Sequence, residues 1–397
     1  MFSEISATVL VASVAAVVTY LIMFPTRWAS YKFGAVVPPD ERKIHTVPLP
    51  DLGGVGLFIG FIVAIIVAGL LQGFKPMFHP VSQIVGVVIA AGIIFSVGLI
   101  DDRINMSPPA KLAGQVLAAM VLYFAGDTMY WFKVPFGPLI VLSNSIAPLV
   151  TALWVIGIAN AVNLIDGLDG LAGGIVAIAA FAFTIYGLRL TQQGVVDPGN
   201  FGPMISAITF GVCIGFLPHN LHPSKIIMGD SGALLLGLLM ASATSVVGGR
   251  TPDVSGETYF FFAPLFIPFF ILGVPIIDMA FAILRRTATR KGFAHADKDH
   301  LHHRLLRLGH GQRRAVAILW VWTALLSGIV LYPTIDPHGN VVVPFLVAVL
   351  GATLYTWFRP GWGQEGGKFD EEIRMSDEFN DGKKNEKTNF ELEDSLE

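Results

Sequence analysis

Long apolar runs recur along the whole chain and limit its fold more than any other sequence feature. We count about eleven runs near the length of a membrane-spanning helix, at residues 5–24, 53–71, 84–100, 110–126, 138–158, 172–188, 202–217, 231–247, 259–284, 315–333 and 341–358. Only 14% of the residues are charged and the mean hydropathy is +0.65, values that exclude an ordinary soluble protein. We therefore predict an all-α polytopic membrane protein with about 11 transmembrane helices.

Arg and Lys are divided unevenly between the connections that join these runs. The connections after odd-numbered runs hold 17 basic residues, and those after even-numbered runs hold 4. The positive-inside rule then predicts an N-terminus outside the cell membrane and odd-numbered connections in the cytoplasm. The first run lacks a basic leader and a small-residue cleavage site, so we expect a retained span rather than a signal peptide.

The C-terminal segment differs in composition from the rest of the chain. Residues 364–397 contain 12 acidic and 5 basic residues with almost no apolar periodicity, which predicts a disordered cytoplasmic tail. Residues 1–360 would form the transmembrane domain, and residues 285–314 would form a cytoplasmic loop within it, rich in His and Arg. The single cysteine, Cys213, excludes an intrachain disulfide.

Five polar clusters fall on odd-numbered connections, and therefore on one predicted face of the membrane. They are Lys43 to His45, Asp101 with Asp102, Asn160 to Asp169, His219 to Ser231, and His295 to Arg314. Their common side indicates one polar site at the cytoplasmic surface, although the rule that oriented the chain also favours this side for the basic clusters.

Two adjacent carboxylates, Asp101 and Asp102, end the third apolar run. Neighbouring residues on a helix point about 100° apart, so one carboxylate can face a ligand while the other meets a lysine or a metal. Lys111 opens the next run within reach of the pair. The alternative is an acidic stop at the membrane interface without a functional role.

The stretch NAVNLIDGLDGLAGG places an amide or a carboxylate at every third position, at Asn160, Asn163, Asp166 and Asp169. On a helix this spacing collects their oxygens on one stripe. The glycines allow close approach of backbone, and the helix that follows offers free N–H groups to a diphosphate. Oxygen ligands without cysteine favour Mg²⁺ or Mn²⁺ over zinc, whereas the alternative is a polar turn between spans.

Asp230 stands in the sequence Met-Gly-Asp-Ser-Gly directly before the eighth run, and Asn220 lies ten residues earlier. By itself, an aspartate at this position could simply cap a helix. The predicted face that it shares with the other carboxylates favours a functional role instead.

Histidines are concentrated in the last predicted cytoplasmic loop, between Arg285 and Arg314, which also holds nine basic residues. They are His295, His300, His302, His303 and His310. Their spacing lacks the companion Cys or Glu of known zinc sites, whereas Arg and His suit phosphate oxygens. A purely topological basic loop is the alternative, and the absence of interleaved aromatic residues disfavours nucleic acid.

Together, these residues suit an enzyme that moves a phosphoryl-linked group onto a lipid. Carboxylate and amide oxygens would hold a divalent cation, and the basic loop would lie beside them at the membrane surface. Phosphoryl transfer requires neutralised charge and positioned reactants more than covalent chemistry by the protein. A lipid acceptor would explain why the site is built on membrane spans.

Four segments resemble motifs of the polyprenyl-phosphate N-acetylhexosamine-1-phosphate transferases, over roughly residues 1–360. They are GLIDDR, NAVNLIDGLDGLAGG, IIMGDSGALLLG and HLHHRLLRLGHGQRRAV. The chain looks most like the branch that transfers N-acetylglucosamine-1-phosphate to undecaprenyl or decaprenyl phosphate, at the start of surface polysaccharide synthesis. The sister branch, which uses a muramoyl-pentapeptide nucleotide, has three successive histidines where this chain has His300-Leu301-His302-His303.

The resemblance also implies a role for each matching residue. Asp101, Asp102 and Asp230 would be catalytic, with Asp101 taking a proton from the acceptor phosphate and Lys111 lying near that phosphate. Asp230 would bind the metal, with Asn163 beside it. The residues expected to bind the nucleotide, sugar and diphosphate are Asp166, Asp169, Asn220, His300, His302, His303 and Arg304. Asp51 departs from the pattern, because the family often has a basic or neutral residue there.

In the implied reaction, an acceptor phosphate oxygen attacks the β-phosphorus of the UDP-sugar, Mg²⁺ or Mn²⁺ bridges the diphosphate, and UMP leaves. The expected partners are UDP-N-acetylglucosamine, a polyprenyl phosphate and the membrane, with no nucleic acid; a homodimer is also compatible with the resemblance. Three alternatives stay open at this point: the pentapeptide transferase, a polyprenyl-lipid transporter that makes no bond, and a scaffold for wall assembly.

Overall fold

The computed structural model describes most of the predicted transmembrane domain. The described residues are 2–38, 48–133, 139–248, 273, 274, 276, 278–280, 305, 306, 310–335 and 342–358. Several predicted features lie outside them: His300, His302, His303, Arg304, the cluster at Lys43 and His45, and the acidic tail.

Ten long helices and two small hairpins account for the regular structure of the described residues. The helices are α1 (Phe2–Lys32), α2 (Gly53–Leu70), α3 (Val81–Ile104), α4 (Pro108–Ala125), α5 (Ala147–Ile165), α6 (Leu171–Gln192), α7 (Gly202–Asn220), α8 (Gly229–Gly248), α9 (Gln312–Ile335) and α10 (Val342–Phe358). A 3₁₀ helix covers Gln72–Phe78. Strands β1 (Val36–Val37) and β2 (Leu49–Pro50) pair antiparallel, as do β3 (Trp131–Lys133) and β4 (Leu139–Val141).

The helices confirm the predicted class, because seven of those described are long and apolar enough to cross a membrane. Two predicted boundaries were wrong. The first run, predicted to end at residue 24, continues as helix α1 to Lys32. The apolar run at residues 138–158 begins as strand β4, which pairs with β3, and helix α5 starts only at Ala147. The number of spans and their orientation stay predictions.

The turn between α3 and α4 is short, and local signals explain it. Asn105 adopts a left-handed conformation with φ 48° and ends α3, since a short polar side chain tolerates that region. Helix α4 begins at Pro108, whose ring fixes the φ of a first helical turn and whose missing N–H is not needed there. The end of α3 and the start of α4 are therefore close together.

Helix α8 lies at the centre of the bundle and packs against α2, α3, α5, α6 and α7. Almost all of its residues are buried inside the bundle. At Gly237, a methyl group would lie 2.5 Å from Ala159 Cα of α5. The backbones of α5 and α8 can approach this closely because the residues between them are small, as is common for helices packed in membranes.

The ends of α4 and α8 remote from Lys111 and Asp230 are joined by a buried carboxylate. Asp127, just after α4, is fully buried and accepts hydrogen bonds from Ser242 Oγ and Ser245 Oγ of α8. A buried charge must be paired or hydrogen-bonded to be tolerated. These contacts therefore join the residues after α4 to the second half of α8.

Candidate active site

Side chains from four helices meet where α3 ends and α4 and α8 begin. Asp101 Oδ1 accepts a hydrogen bond from the Met106 N–H at 2.6 Å, and its Oδ2 accepts one from Lys111 Nζ at 2.8 Å. Lys111 Nζ also donates to Asp230 Oδ2 at the start of α8. The ammonium group of Lys111 thus bridges two carboxylates that are 129 residues apart in sequence.

Asn163, in the last turn of α5, completes this group. With its amide oxygen turned towards α4, Asn163 accepts from Lys111 Nζ at 3.3 Å and donates to Asp230 Oδ1 at 3.1 Å. The Lys111 and Asp101 side chains are 17% and 15% exposed, and that of Asp230 is 33% exposed. The group can therefore be reached by a ligand, which a buried structural network could not.

Asp102 faces a different neighbour from Asp101. Its Oδ1 accepts a hydrogen bond from the Asp230 N–H at 2.7 Å, and its Oδ2 accepts one from the Ser231 N–H at 3.1 Å. The two adjacent aspartates therefore diverge, as helical geometry predicts. The structure brings Asp102 to the backbone of α8 and Asp101 to the side chain of Lys111.

The segment before α8 is held by residues just before α2 and at its start. The Ile227 N–H donates to the Pro50 carbonyl at 3.0 Å, and the Gly53 N–H donates to the Ile227 carbonyl at 3.2 Å. A methyl group at Gly53 would overlap that carbonyl, so a glycine is required for this close approach. This pairing places the buried Asp51 beside Gly229, a neighbourhood that the sequence did not indicate.

A second group of polar contacts joins the loop after α5 to the loop after α7. Asp169 Oδ2 contacts His222 Nδ1 at 2.8 Å and accepts from the Ser224 N–H at 3.2 Å. Asn220 Oδ1 accepts from the Gly170 N–H at 2.9 Å, and its Nδ2 donates to the Ile226 carbonyl at 3.0 Å. Both predicted residues therefore lie at this junction, where each holds backbone in place.

His222 belongs to this junction although sequence reasoning missed it. Its side chain is 37% exposed, while that of its partner Asp169 is 3% exposed. Arg313 Nη2, at the start of α9, donates to the His222 carbonyl at 3.1 Å. Proximity to Asn220 was the only available signal in the sequence.

Gln115 and Asn160 form a polar pair one turn deeper than Lys111 and Asn163. Asn160 Nδ2 donates to Gln115 Oε1 at 2.7 Å, and Gln115 Nε2 donates to Asn160 Oδ1 at 3.3 Å. Asn160 was expected on the same stripe as Asn163, but Gln115 was not singled out. The pair joins α4 to α5 just behind the site.

Asp166, directly after α5, lies close enough to other carboxylates for their negative charge to change its pKa. Burial and repulsion from other carboxylates raise the pKa of Asp166 to about 8. The carboxylates that repel it are Asp230, Asp102, Asp169 and Asp51. A cation in this region would offset that repulsion.

The donor set fits a hard divalent cation that a substrate helps to bind. Asp101 and Asp230 offer carboxylate oxygens, and Asn163 offers an amide oxygen, next to one another. Among the described residues, no three acidic, His or Cys side chains surround one point. Mg²⁺ needs no such cage, because it usually keeps several waters and binds through one or two carboxylates plus substrate phosphates.

Comparisons with known proteins match the part of the chain that contains these residues. Residues 84–248, which include Asp101, Lys111, Asn163 and Asp230, match the family model described as "Glycosyl transferase family 4". The chain is 37% identical over 324 residues to the decaprenyl-phosphate N-acetylglucosaminephosphotransferase of Mycobacterium tuberculosis, covering 80% of each protein.

Two further relatives extend this comparison. The chain is 36% identical to the protein of the same name from Mycolicibacterium smegmatis, covering 87% of each. It is 27% identical to the undecaprenyl-phosphate alpha-N-acetylglucosaminyl 1-phosphate transferase of Salmonella typhi, covering 83% of this chain and 86% of the relative.

Proposed function

Because the chain belongs to glycosyl transferase family 4, we propose that it transfers N-acetylglucosamine-1-phosphate from UDP-N-acetylglucosamine to a polyprenyl phosphate. The products are polyprenyl diphosphate-linked N-acetylglucosamine and UMP. The names of the relatives favour this reaction over a transporter and over the pentapeptide transferase. The polyprenyl acceptor is decaprenyl or undecaprenyl phosphate, as those names indicate.

One observation carries the proposal: Asp101, Lys111, Asn163 and Asp230 meet at the ends of four apolar helices. A lipid-linked acceptor can bring its phosphate to such a place while its chain stays in the bilayer. A sugar nucleotide reaches the same place from water. The position of the group thus suits a reaction between a membrane lipid and a soluble diphosphate.

Asp230 and Asn163 would hold Mg²⁺ together with the diphosphate of the donor. When bound, the cation supplies charge neutralisation and polarises the attacked phosphorus. Helix α8 presents the carboxylate of Asp230 from its first turn, and α5 presents the amide of Asn163 from its last. Both ligands therefore come from helix ends, whose positions are fixed by packing.

Lys111 and Asp101 would interact with the phosphate of the acceptor lipid. Lys111 Nζ would bind an oxygen of the lipid phosphate, and Asp101 would take up the proton of that phosphate if it arrives as the monoanion. The ionised oxygen attacks the β-phosphorus, a P–O bond to the acceptor forms, and the bond to UMP breaks. The hydrogen bonds to Asp101 from Lys111 and from the Met106 N–H hold its carboxylate next to the ammonium group that would bind the phosphate.

The nucleotide lies on the side of Asp166, Asp169 and Asn220. Asp169 and Asn220 keep the two loops of this junction together, so they would shape the pocket more than they touch the uridine. His300, His302, His303 and Arg304 lie outside the described residues, and we propose that their loop closes over the sugar and diphosphate.

The site faces the cytoplasm of a multi-pass protein in the cell membrane, with the N-terminus outside. The excess of Arg and Lys on the connections that carry the site supports this orientation. A soluble UDP-sugar is then available to the site without crossing the membrane. A homodimer stays compatible with the proposal.

A panel of donors tests the proposal. Purified protein receives a polyprenyl phosphate, Mg²⁺ and one UDP-sugar at a time, and UMP is measured. UDP-N-acetylglucosamine should support turnover, and the muramoyl-pentapeptide nucleotide should not, with the difference appearing in kcat/KM. Turnover of the pentapeptide nucleotide alone would identify the sister branch, and binding without UMP release would indicate a transporter.

A further inference from the structure

We propose that Asp102 is a positioning residue that fixes the first turn of α8, and with it Asp230, rather than a catalytic group. This inference rests on the proposed function and deepens it, because it assigns different roles to two adjacent aspartates. Asp101 would meet the reactants, whereas Asp102 would act through the backbone that carries the metal-binding carboxylate.

The hydrogen bonds of Asp102 are the first observation that supports a positioning role. Both of its oxygens accept from backbone N–H groups, those of Asp230 and Ser231. The first four N–H groups of a helix have no partner within that helix and require one from outside. In α8, Asp102 of α3 supplies two of these partners, at 2.7 Å and 3.1 Å, from 128 and 129 residues earlier in the chain.

The electrostatic environment reinforces this contact. The amide dipoles of a helix make its N-terminus positive, so a carboxylate is stabilised there. Hydrogen bonds from N–H groups to a charged oxygen are also stronger than those between neutral groups. Asp102 therefore holds α8 with its charge, and its two oxygens are engaged towards α8 rather than towards a substrate.

Small residues around Asp102 show that its place is narrowly defined. A methyl group at Gly98, one turn earlier on α3, would overlap the backbone of Ser231. A methyl group at Gly229 would lie 2.7 Å from Asp102 Oδ2 and 2.8 Å from Asp51 Oδ1. Gly229 also has a φ of 69°, a conformation that glycine adopts readily. Helices α3 and α8 thus meet at a distance that places both Asp102 oxygens on the amides.

Hydrogen exchange of the full-length protein in detergent tests the contact without metal or substrate. Asp102→Asn keeps one acceptor oxygen and Asp102→Ala keeps none. The exchange rate of the amides at the start of α8 should increase from wild type to Asp102→Asn and again to Asp102→Ala. The Ala variant should exchange about tenfold faster than wild type, or more. Asp101→Asn, the matched control, should leave these amides unchanged. Equal protection in all four proteins would overturn the proposal.

Gly98→Ala tests the same geometry without removing any charge. The added methyl group should push α8 away from α3 and speed exchange of the same amides. Gly92→Ala is the control on the same helix, because its methyl group would meet only Phe58 Cζ, at 3.9 Å. If Gly98→Ala behaved like Gly92→Ala, the close contact would not be what positions α8.

Kinetics then separate positioning from catalysis. Asp102→Asn should raise the Mg²⁺ concentration for half-maximal rate by about 10–100-fold, as loss of a residue that orients a metal ligand does. At saturating Mg²⁺, its kcat and the acidic limb of its pH profile should return close to wild type. A kcat that stays low at saturating Mg²⁺, or a lost acidic limb, would make Asp102 catalytic.

Failure of this inference differs from failure of the proposed function. If wild-type protein releases no UMP from UDP-N-acetylglucosamine, the proposed function fails whatever the variants do. If wild-type protein releases UMP but the exchange rate of the α8 amides is the same in the Asp102 variants, only the positioning role of Asp102 fails.

Discussion

Lys111 places an ammonium group between the carboxylates of Asp101 and Asp230. One positive charge does not balance these two carboxylates together with that of Asp102 nearby. A donor diphosphate would add further negative charge to the same place. At the scale of residues, the site is therefore arranged to bind its diphosphate together with a cation and to repel the diphosphate alone.

Replacement of Asp230 tests this charge arrangement. Asp230→Asn keeps the size and one oxygen but loses the charge, so turnover should fall about 10²-fold or more while the protein still inserts. UMP release measured against Mg²⁺ concentration checks this. If Asp230 only capped α8, Asn would serve about as well as Asp, and an unchanged rate and metal dependence would remove Asp230 from the site.

The raised pKa of Asp166 predicts how stability depends on pH. Because its pKa rises from 3.8 to about 8 on folding, the folded state binds this proton more tightly than the unfolded state. Stability should therefore fall as the pH rises from 3.8 towards about 8. Asp166→Asn should flatten this dependence in thermal melts recorded with a chelator.

Addition of Mg²⁺ supplies the control for that experiment. A bound cation offsets the repulsion that raises the pKa, so the melting temperature of wild type should become less dependent on pH. Equal slopes for wild type and Asp166→Asn in chelator would contradict the charge excess inferred around Asp166.

At the scale of elements, the site depends on how closely α8 packs against its neighbours. Asn163 comes from α5 and Asp230 from α8, and their side chains meet at 3.1 Å. The two backbones come together between Ala159 and Gly237, about one turn from Asn163 and two turns from Asp230. The spacing of the helices therefore sets the spacing of the ligands.

Gly237→Ala tests this dependence with one methyl group. The methyl would lie 2.5 Å from Ala159 Cα, and such overpacking typically costs about 1–3 kcal/mol. The melting temperature and the rate of UMP release should both fall, since Asn163 and Asp230 move apart. Gly157→Ala on α5 is the control, because nothing lies within 4 Å of its added methyl group. Equal effects of the two substitutions would contradict the argument.

Helix positions could largely be predicted because hydropathy is a local property of the sequence. The start of α5 was misplaced because the pairing of Leu139–Val141 with Trp131–Lys133 is not encoded in apolar run length. Asp101 and Asp230 were predicted as site residues from their chemistry and shared face. The contact of Asp102 with the amides of α8 was not, since it joins segments 128 residues apart.

At the scale of the whole molecule, the proposed orientation predicts which loops face the outside. Single cysteines at Lys75 and Arg250 should react with a membrane-impermeant reagent in intact cells, and one at Arg290 should not. The native Cys213 is buried and gives little background. Labelling at Arg290 without labelling at the other two positions would place the site outside the cytoplasm.

Asp127 has a consequence for the order in which the protein is made. Its carboxylate is bonded to Ser242 and Ser245, which follow it by 115 and 118 residues. Synthesis proceeds from the N-terminus, so α4 and the residues after it exist before either serine does. Hydrogen bonds to a buried carboxylate lower the free-energy cost of burying it. These two stabilising contacts can therefore form only once α8 has been made, and the same helix brings Asp230 to Asp101 and Lys111, which were made earlier.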